Sequence, residues 1–314
     1  MIVVLTGGTG GAKFVAGLAA TLPAHELTVI VNTGDDLTGW GLHVSPDLDS
    51  ITYALAGILS RERGWGVEGD TFHCLEAMRR MGAPAWFQLG DRDLATHLRR
   101  TGLLSEGRTL SEATSEIASR LGVETRILPV SDDRVETRVL TADGELSFQE
   151  YFVRERYHVA VRGVRFEGAE RANAAPGVLD EIDRAEAVVI APSNPITSIG
   201  PILAVPGIRD ALKKTAAPVA AISPIIGGAA VTGPAGELMK TRGLPVSIAG
   251  IARCYADFLD LMVADERDGA CGTRVEGIAV RYARTLMNSE ADKKALARSV
   301  LGFLRERPAE AAAS

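Results

Sequence analysis

The sequence predicts an α/β chain built on a doubly wound, mainly parallel sheet with an inserted region of helices and a β-hairpin. Three observations predict it. The chain opens strand–helix–strand, with apolar runs at Ile2–Leu5 and Leu27–Val31 around a glycine-rich turn. The strand-like runs are continuously apolar, as in parallel strands covered on both faces. The strand ends at Leu5, Val31, Ala191 and Ser223 each open into a loop rich in Gly, Ser, Asn, Asp or Pro. In an open parallel sheet such ends line one crevice, where ligands bind.

The elements follow in order. After the first strand and the turn Gly7–Gly11, a helix is expected from about Ala12 to Leu22, with Phe14, Leu18 and Leu22 on one face. Ser45-Pro46-Asp47 reads as a helix start, with Ser as cap, Pro at the first position and Asp in the first turn. Helices are expected over Pro46–Leu59, Thr71–Met81, Asp91–Arg100 and Ser111–Leu121, then strands at Thr125–Val130 and Glu136–Leu140. Asp143-Gly144 between alternating segments signals a hairpin. The chain is read as one domain over 1–314, with about 60–170 as an inserted mixed module. The parallel pattern resumes at Ala187–Ala191 and Val219–Ser223, with further strands at Val246–Ile251 and Leu259–Ala264. Ser289 with Asp292 starts a last helix to about Leu304 by a capping box. The tail PAEAAAS is expected to fray.

Bulk composition narrows the function classes. The 314 residues carry 34 basic and 40 acidic side chains, a net charge of −6. A general nucleic-acid binder leans the other way, because phosphate affinity comes largely from Lys and Arg. A discrete anionic ligand needs less, one Lys and a few backbone N–H groups. Cys74, Cys254 and Cys271 are odd in number and widely spaced, which predicts reduced thiols in a cytoplasmic protein. The start MIVVLTGG has no basic leader and reads as a buried strand. No apolar run approaches the ~20 residues that span a bilayer, so no membrane partner is expected.

Two stretches carry the chemistry. In TGGTGGAK, Thr6–Lys13, glycines let backbone N–H groups point at an anion, and the following helix adds its dipole. Gly8, Thr9, Gly10, Gly11 and Lys13 are the candidate phosphate contacts; the bland alternative is a tight turn. The loop lacks the Gly-Lys-Ser/Thr of a P-loop, and Lys13 stands where a dinucleotide fingerprint has its third Gly. Asn32 ends the second strand where a nicotinamide site carries Asp or Glu, so a nicotinamide oxidoreductase is disfavoured.

The second stretch is acidic. Asp35 and Asp36 follow the second strand, and Asp47 and Asp49 lie in the first turn of the next helix. Asp47 alone could serve the helix dipole. The cluster as a whole is what Mg²⁺ needs when it bridges carboxylates to substrate phosphates. His43 between them has three readings: substrate contact, proton shuttle or passive loop residue. In LGDRDLATH, Leu89–His97, Asp91 could cap its own helix and Asp93 could pair with His97 at i, i+4. Trp65, Trp86 and Phe87 are read as core, and Trp40 as a ring-stacking lid.

With GGTGGAK, NTGDD (Asn32–Asp36), HVSPDLD (His43–Asp49), LGDRDLATH, PSNPITSIGPI (Pro192–Ile202), SPIIGGAAVTGPAGELM (Ser223–Met239) and DERD (Asp265–Asp268) in this order, the chain closely resembles the 2-phospho-L-lactate transferase family of coenzyme F420 biosynthesis. The resemblance implies a Rossmann-like fold, a Mg²⁺ requirement and a homodimer. It implies a reaction in which a guanosine diphosphate ester of lactate or enolpyruvate passes its acid-phosphate group to the ribityl hydroxyl of the deazaflavin FO, releasing GMP. By position it assigns the Gly7–Lys13 loop, Ser193, Asn194, Ser223 and Pro224 to the nucleotide. Asn32, Asp36, His43, Asp91, Arg92, Thr96 and His97 fall to the substrate side. Asp47 and Asp49 fall at the reacting phosphate. On the chemistry, Asp49 is the preferred base with Asp47 on the metal, although the two roles could be exchanged; Asp47, Asp49 and Asp35 are the candidate metal ligands. Thr232 departs from the Lys of some members. The rival reading is a nucleotide-sugar-binding regulator of a related gluconeogenesis-factor family.

Overall fold

The computed structural model describes residues 1–271 and 275–306. Strand β1 (Ile2–Thr6) leads through the glycine loop into α1 (Gly8–Ala19) and back to β2 (Leu27–Val31). A hairpin of β3 (Leu37–Gly39) and β4 (Leu42–Val44) precedes α2 (Pro46–Leu55), α3 (His73–Arg80), α4 (Asp93–Ser105) and α5 (Leu110–Arg120). Then come β5 (Arg126–Pro129), β6 (Glu136–Thr141), β7 (Glu145–Ser147), a π-helical turn at Glu150–Arg154, and β8 (Val161–Glu167). The second half runs α6 (Val178–Arg184), β9 (Ala187–Ile190), α7 (Ile199–Ala204), α8 (Ile208–Lys214), β10 (Val219–Ile222), and the ribbon β11 (Ile225–Ile226) and β12 (Ala229–Ala230). It ends with α9 (Ala235–Thr241), α10 (Ile248–Cys254), β13 (Leu261–Asp265), β14 (Ala279–Ala283) and α11 (Glu290–Arg305).

Seven strands form one sheet in the order β14-β13-β10-β9-β1-β2-β5, and each pairing within it is parallel. The chain winds outward from β1 through β2 to β5, then restarts at β9 and winds the other way. The order therefore reverses between β1 and β9, the place where an open α/β sheet binds ligands. Both faces are covered. Val3 and Leu5 of β1 enter one core layer with Ile182, Ile202 and Ile251; Val4 enters the other with Phe14, Leu48 and Leu296. That two-sided burial is why the strands read as unbroken apolar runs.

Several expectations shift. Residues 60–170 do not form one inserted module, because β5 pairs with β2 inside the main sheet. Two separate excursions remain: 32–125, which holds the β3-β4 hairpin and the four helices α2–α5, and the antiparallel sheet β7-β6-β8. Val246–Ile251 is the start of helix α10, not a strand: the Ser247 hydroxyl accepts from Gly250 N–H at 3.2 Å, and Ile248 and Ile251 share a buried face. Helix α2 stops at Leu55 because the Ile58 and Leu59 N–H groups turn back to the Tyr53 carbonyl, at 2.9 and 3.1 Å. The Ser45 side chain does not cap α2; it donates to Asp36 Oδ2 at 2.7 Å. The capping box of Ser289 and Asp292 is formed. Cys74 and Cys254 are free thiols, while the Cys271 side chain and the tail PAEAAAS lie outside the described residues. Among the described residues no helix is long and apolar enough to cross a membrane.

Candidate active site

A cavity of about 530 Å³ opens at the carboxyl ends of the strands. Gly7–Gly10 after β1, Asp35 after β2, Pro192–Asn194 after β9, and Ser223 with Pro224 after β10 all line it. The loops singled out at the strand ends therefore meet in one place.

The glycine loop is held from outside. Gly7 N–H donates to Ser193 Oγ at 3.3 Å, and Ser193 Oγ donates back to the Gly7 carbonyl at 2.7 Å. Gly8 N–H donates to Asp47 Oδ1 at 2.7 Å. Gly8 sits at φ +70°, and a Cβ at Gly11 would lie 1.9 Å from Thr6 Oγ1, so neither position admits a larger residue without rearrangement. Of the first-turn N–H groups, two are thus occupied by the protein itself. Thr9 and Gly10, whose N–H groups belong to the same first turn, line the cavity, with Lys13 one turn further on. Two amides, an ammonium and the positive end of α1 are the groups that suit an anion. Gly11 supports that turn from within and does not line the cavity.

The four aspartates divide into two kinds. Asp47 accepts from Asn32 Nδ2 at 2.9 Å as well as from Gly8, yet its pKa is pushed up to about 6 by burial and by the charges of Asp36 and Asp49. Asp35 is raised well above the usual carboxylate value by burial and by Asp47, and its Oδ1 has no hydrogen-bond partner. Asp36 is also raised by burial, although the His43 ring at 3.1 Å and Ser45 oppose the shift.

Asp49 differs. Both of its oxygens are gripped by the fork of Arg100, through Nη1 at 3.2 Å and through Nη2. His97 Nδ1 lies 3.6 Å from Asp49 and its Nε2 lies 3.3 Å from Asp93, which accepts from the Tyr53 hydroxyl at 2.7 Å. Burial works to raise the Asp93 pKa, but the neighbouring His97 and Tyr53 outweigh it and hold the carboxyl low. Part of the acidic cluster is therefore neutralised by the protein's own guanidinium. The expectation of Asp49 as a free base meets this geometry: its lone pairs are committed to Arg100. Sequence reasoning missed Arg100. The available signal was the stripe Asp93, His97, Arg100 on the same buried face of α4 as Leu94 and Leu103.

The donor set bears on Mg²⁺. Among the described residues no three His, Cys, Asp or Glu side chains form a metal cage. Asp35 offers an orphaned buried oxygen and shares the cavity lining with Asp47, which is itself bonded to Gly8 of the glycine loop. One or two carboxylates completed by substrate phosphate and water is the arrangement Mg²⁺ favours, so these residues fit that ion.

The remaining residues spread out. Asn194 lines the cavity and accepts from Ile196 N–H at 2.9 Å; Ser223 closes a local turn with Ile225. Asn32, Asp36 and His43 do not line the cavity. Of LGDRDLATH, Leu89, Asp93 and His97 line the cavity, whereas Asp91, Arg92 and Thr96 do not. Asp91 caps α3, not its own helix: it accepts from Thr71 Oγ1 at 2.6 Å and from the N–H groups of His73 and Cys74 at 3.0 and 2.9 Å. Asp70 caps α4 in return, through Arg92 and Asp93 N–H at 2.8 and 3.0 Å. Trp40 is no lid; its Nε1 donates to the Pro84 carbonyl at 2.8 Å and it packs on a small cluster with Leu89. Trp65, Trp86 and Phe87, expected in the core, line the cavity instead, with Phe148 and Phe152 stacked at 5.4 Å. This aromatic wall comes from separate segments, so no single run announces it.

A family model described as 2-phospho-L-lactate transferase CofD matches residues 2–296. The 2-phospho-L-lactate transferase of Methanosarcina mazei is 44% identical over 302 residues, spanning 96% of this chain and 99% of that protein. The phosphoenolpyruvate transferase of Streptomyces griseus is 44% identical over 313 residues, spanning 97% and 98%. In the solved structures, a UPF0052 family member from Bacillus halodurans shares the fold with a TM-score of 0.64 at 18% identity, covering 96% of this chain and 98% of that one.

Proposed function

The chain belongs to the 2-phospho-L-lactate transferase CofD family, and from that premise we propose that it transfers the phospholactyl or phosphoenolpyruvyl group of a guanosine diphosphate ester to the ribityl hydroxyl of the deazaflavin FO. The acid-bearing phosphorus forms a bond to the ribityl oxygen. Its bond to the bridging oxygen of the diphosphate breaks, and GMP leaves with that oxygen. The product is coenzyme F420-0 or its dehydro form.

One observation carries the reading. A helix N-terminus with Thr9, Gly10 and Lys13 faces a pair of buried carboxylates, Asp35 and Asp47, in a cavity walled by aromatic rings. Phosphoryl transfer asks chiefly for positioning and charge stabilisation. Thr9 and Gly10 N–H groups and Lys13 hold the nucleotide phosphates, with Ser193, Asn194, Ser223 and Pro224 around the nucleoside. Trp86, Phe87 and Phe148 offer flat faces to the deazaflavin. Asp35, with its unpartnered Oδ1, is the residue that would hold Mg²⁺, which when bound would neutralise charge on the phosphates. Asp47 rather than Asp49 receives the hydroxyl proton, because Arg100 occupies Asp49; general-base assistance of this kind is worth ~10²–10⁴-fold. Asp49 orients His97 and keeps the far end of the site rigid. The working form is read as a cytoplasmic homodimer.

Incubation with FO, a guanosine diphosphate ester of either acid, and Mg²⁺ tests the proposal by mass spectrometry. FO should gain the mass of the phospho-acid while GMP accumulates. Binding of a uridine diphosphate sugar with no mass gain on FO would replace this reading with the regulator.

A further inference from the structure

Two Lys or Arg side chains line the cavity, Lys13 and Arg156, and neither has an ion-pair partner among the described residues. Arg154, two residues earlier, is the opposite case. It pairs with Glu150 at 2.8 Å and Glu155 at 2.9 Å, and its guanidinium lies 5.8 Å from the centre of the Trp86 ring.

The backbone around Arg156 is constrained. Arg156 and Tyr157 are consecutive non-glycine residues at φ +50° and +49°, a conformation that L side chains hold only when the surroundings impose it. Here the imposing elements are visible. Glu155 N–H bonds the Glu150 carbonyl and Tyr157 N–H bonds the Tyr151 carbonyl, both at 2.9 Å. The rings of Phe148, Phe152 and Tyr157 stack in series at 5.4 and 5.8 Å. The same segment touches three parts of the cavity. Gln149 donates to the Asp35 carbonyl at 3.3 Å, the Phe152 ring lies 3.4 Å from where a Cβ at Gly233 would stand, and Arg154 lies over Trp86. π-helical turns and left-handed non-glycine residues both concentrate at functional sites.

Resting on the transferase reading above, we propose that Arg156 binds the carboxylate of the donor's three-carbon acid. The donor's phosphates are matched by the α1 amides and Lys13. Its carboxylate is a further anion entering a cavity that already presents Asp35, Asp47, Asp49 and Asp93. Arg156 is the guanidinium among the described lining residues, and its planar fork suits a carboxylate. Its charge is not spent on a protein partner.

The test is calorimetric titration of the full chain with GDP and with the complete donor ester, in Mg²⁺, for wild type, Arg156→Ala, Arg156→Lys and Arg156→Gly. Wild type should prefer the donor to GDP. Arg156→Ala should weaken the donor by about 10-fold or more, the worth of a hydrogen bond to a charged group, while leaving GDP unchanged. Arg156→Lys should recover part of the loss. Arg156→Gly removes the side chain yet suits a positive φ, so it should reproduce the alanine result without any folding defect. Equal weakening of GDP and donor would make Arg156 a phosphate contact, and no weakening of either would remove it from the site; both overturn the inference. Failure of FO to gain mass with wild type would count against the transferase reading, while the donor-to-GDP ratio would still decide Arg156.

Discussion

Two groups of buried aspartates lie within one cavity wall and are treated in opposite ways. Asp49 and Asp93 sit among Arg100, His97 and Tyr53, with their charge answered inside the protein. Asp47, bonded to Gly8 of the glycine loop, has only amide donors, Asp35 Oδ1 has no partner, and burial pushes both carboxyls upward. Burying a carboxylate without a cation is costly, and a chain that tolerates the cost leaves room for a charge from outside. The paired group is architecture that shapes the cavity. The unpaired group is the part of the wall that the proposed function assigns to an ion from outside.

Breaking the paired group should give the largest effect. Arg100 is 2% exposed, and removing it leaves Asp49 buried with no guanidinium. Arg100→Met should cost about 3–5 kcal/mol in urea unfolding, the penalty of an orphaned buried charge. The double variant Arg100→Met with Asp49→Leu should recover most of that loss, because replacing both partners avoids the orphan. A single variant as stable as wild type would mean that Arg100 does not compensate Asp49.

The unpaired group should respond with the opposite sign. Asp35→Asn removes a buried charge whose Oδ1 has no partner, so the metal-free protein should gain about 1–3 kcal/mol. Transfer activity in Mg²⁺ should fall by more than ~10²-fold if Asp35 holds the ion. The pH dependence has a definite sign. A carboxyl whose folded pKa is raised stabilises the fold below its unfolded pKa, and that contribution disappears as pH rises through the folded value. For Asp47 the window runs from 3.8 to about 6, and the change is of order 3 kcal/mol. Metal-free wild type should therefore lose stability across that window and beyond it, and Asp35→Asn should show a shallower decline. Mg²⁺ with GDP should raise the melting temperature of wild type more than that of Asp35→Asn.

How much of this was legible depends on how local each signal is. Leu27–Val31 and the loop Gly7–Gly11 were readable because a two-sided strand and a glycine turn are written in adjacent residues. Strands β8 and β14 were not anticipated: VRGVRFE and AVRYA mix Arg with apolar residues at sheet edges, where one side meets solvent. The acidic stretch was legible as a cluster but not as two groups, because Arg100, which separates them, lies 51 positions from Asp49. The aromatic wall was hidden for the same reason. Asp91 misled because a carboxylate before a helix looks like that helix's cap, whereas its oxygens reach back to α3.

That exchange of caps supplies the smallest and cleanest control on the comparison. Asp91 is neither paired with a cation nor left unpartnered; backbone N–H groups and the Thr71 hydroxyl satisfy it, and the Thr71 bond leads in holding its pKa below the usual value. It belongs to neither group of aspartates. Asp91→Ala should free the first turn of α3 and lower the melting temperature slightly, an effect that Asp91→Asn should restore in part. Because Asp91 does not line the cavity, KM for FO and kcat should both stay near wild type. A raised KM for FO in Asp91→Ala, with the fold intact by circular dichroism, would return Asp91 to the substrate side and show that the division of these carboxylates extends beyond the cavity wall.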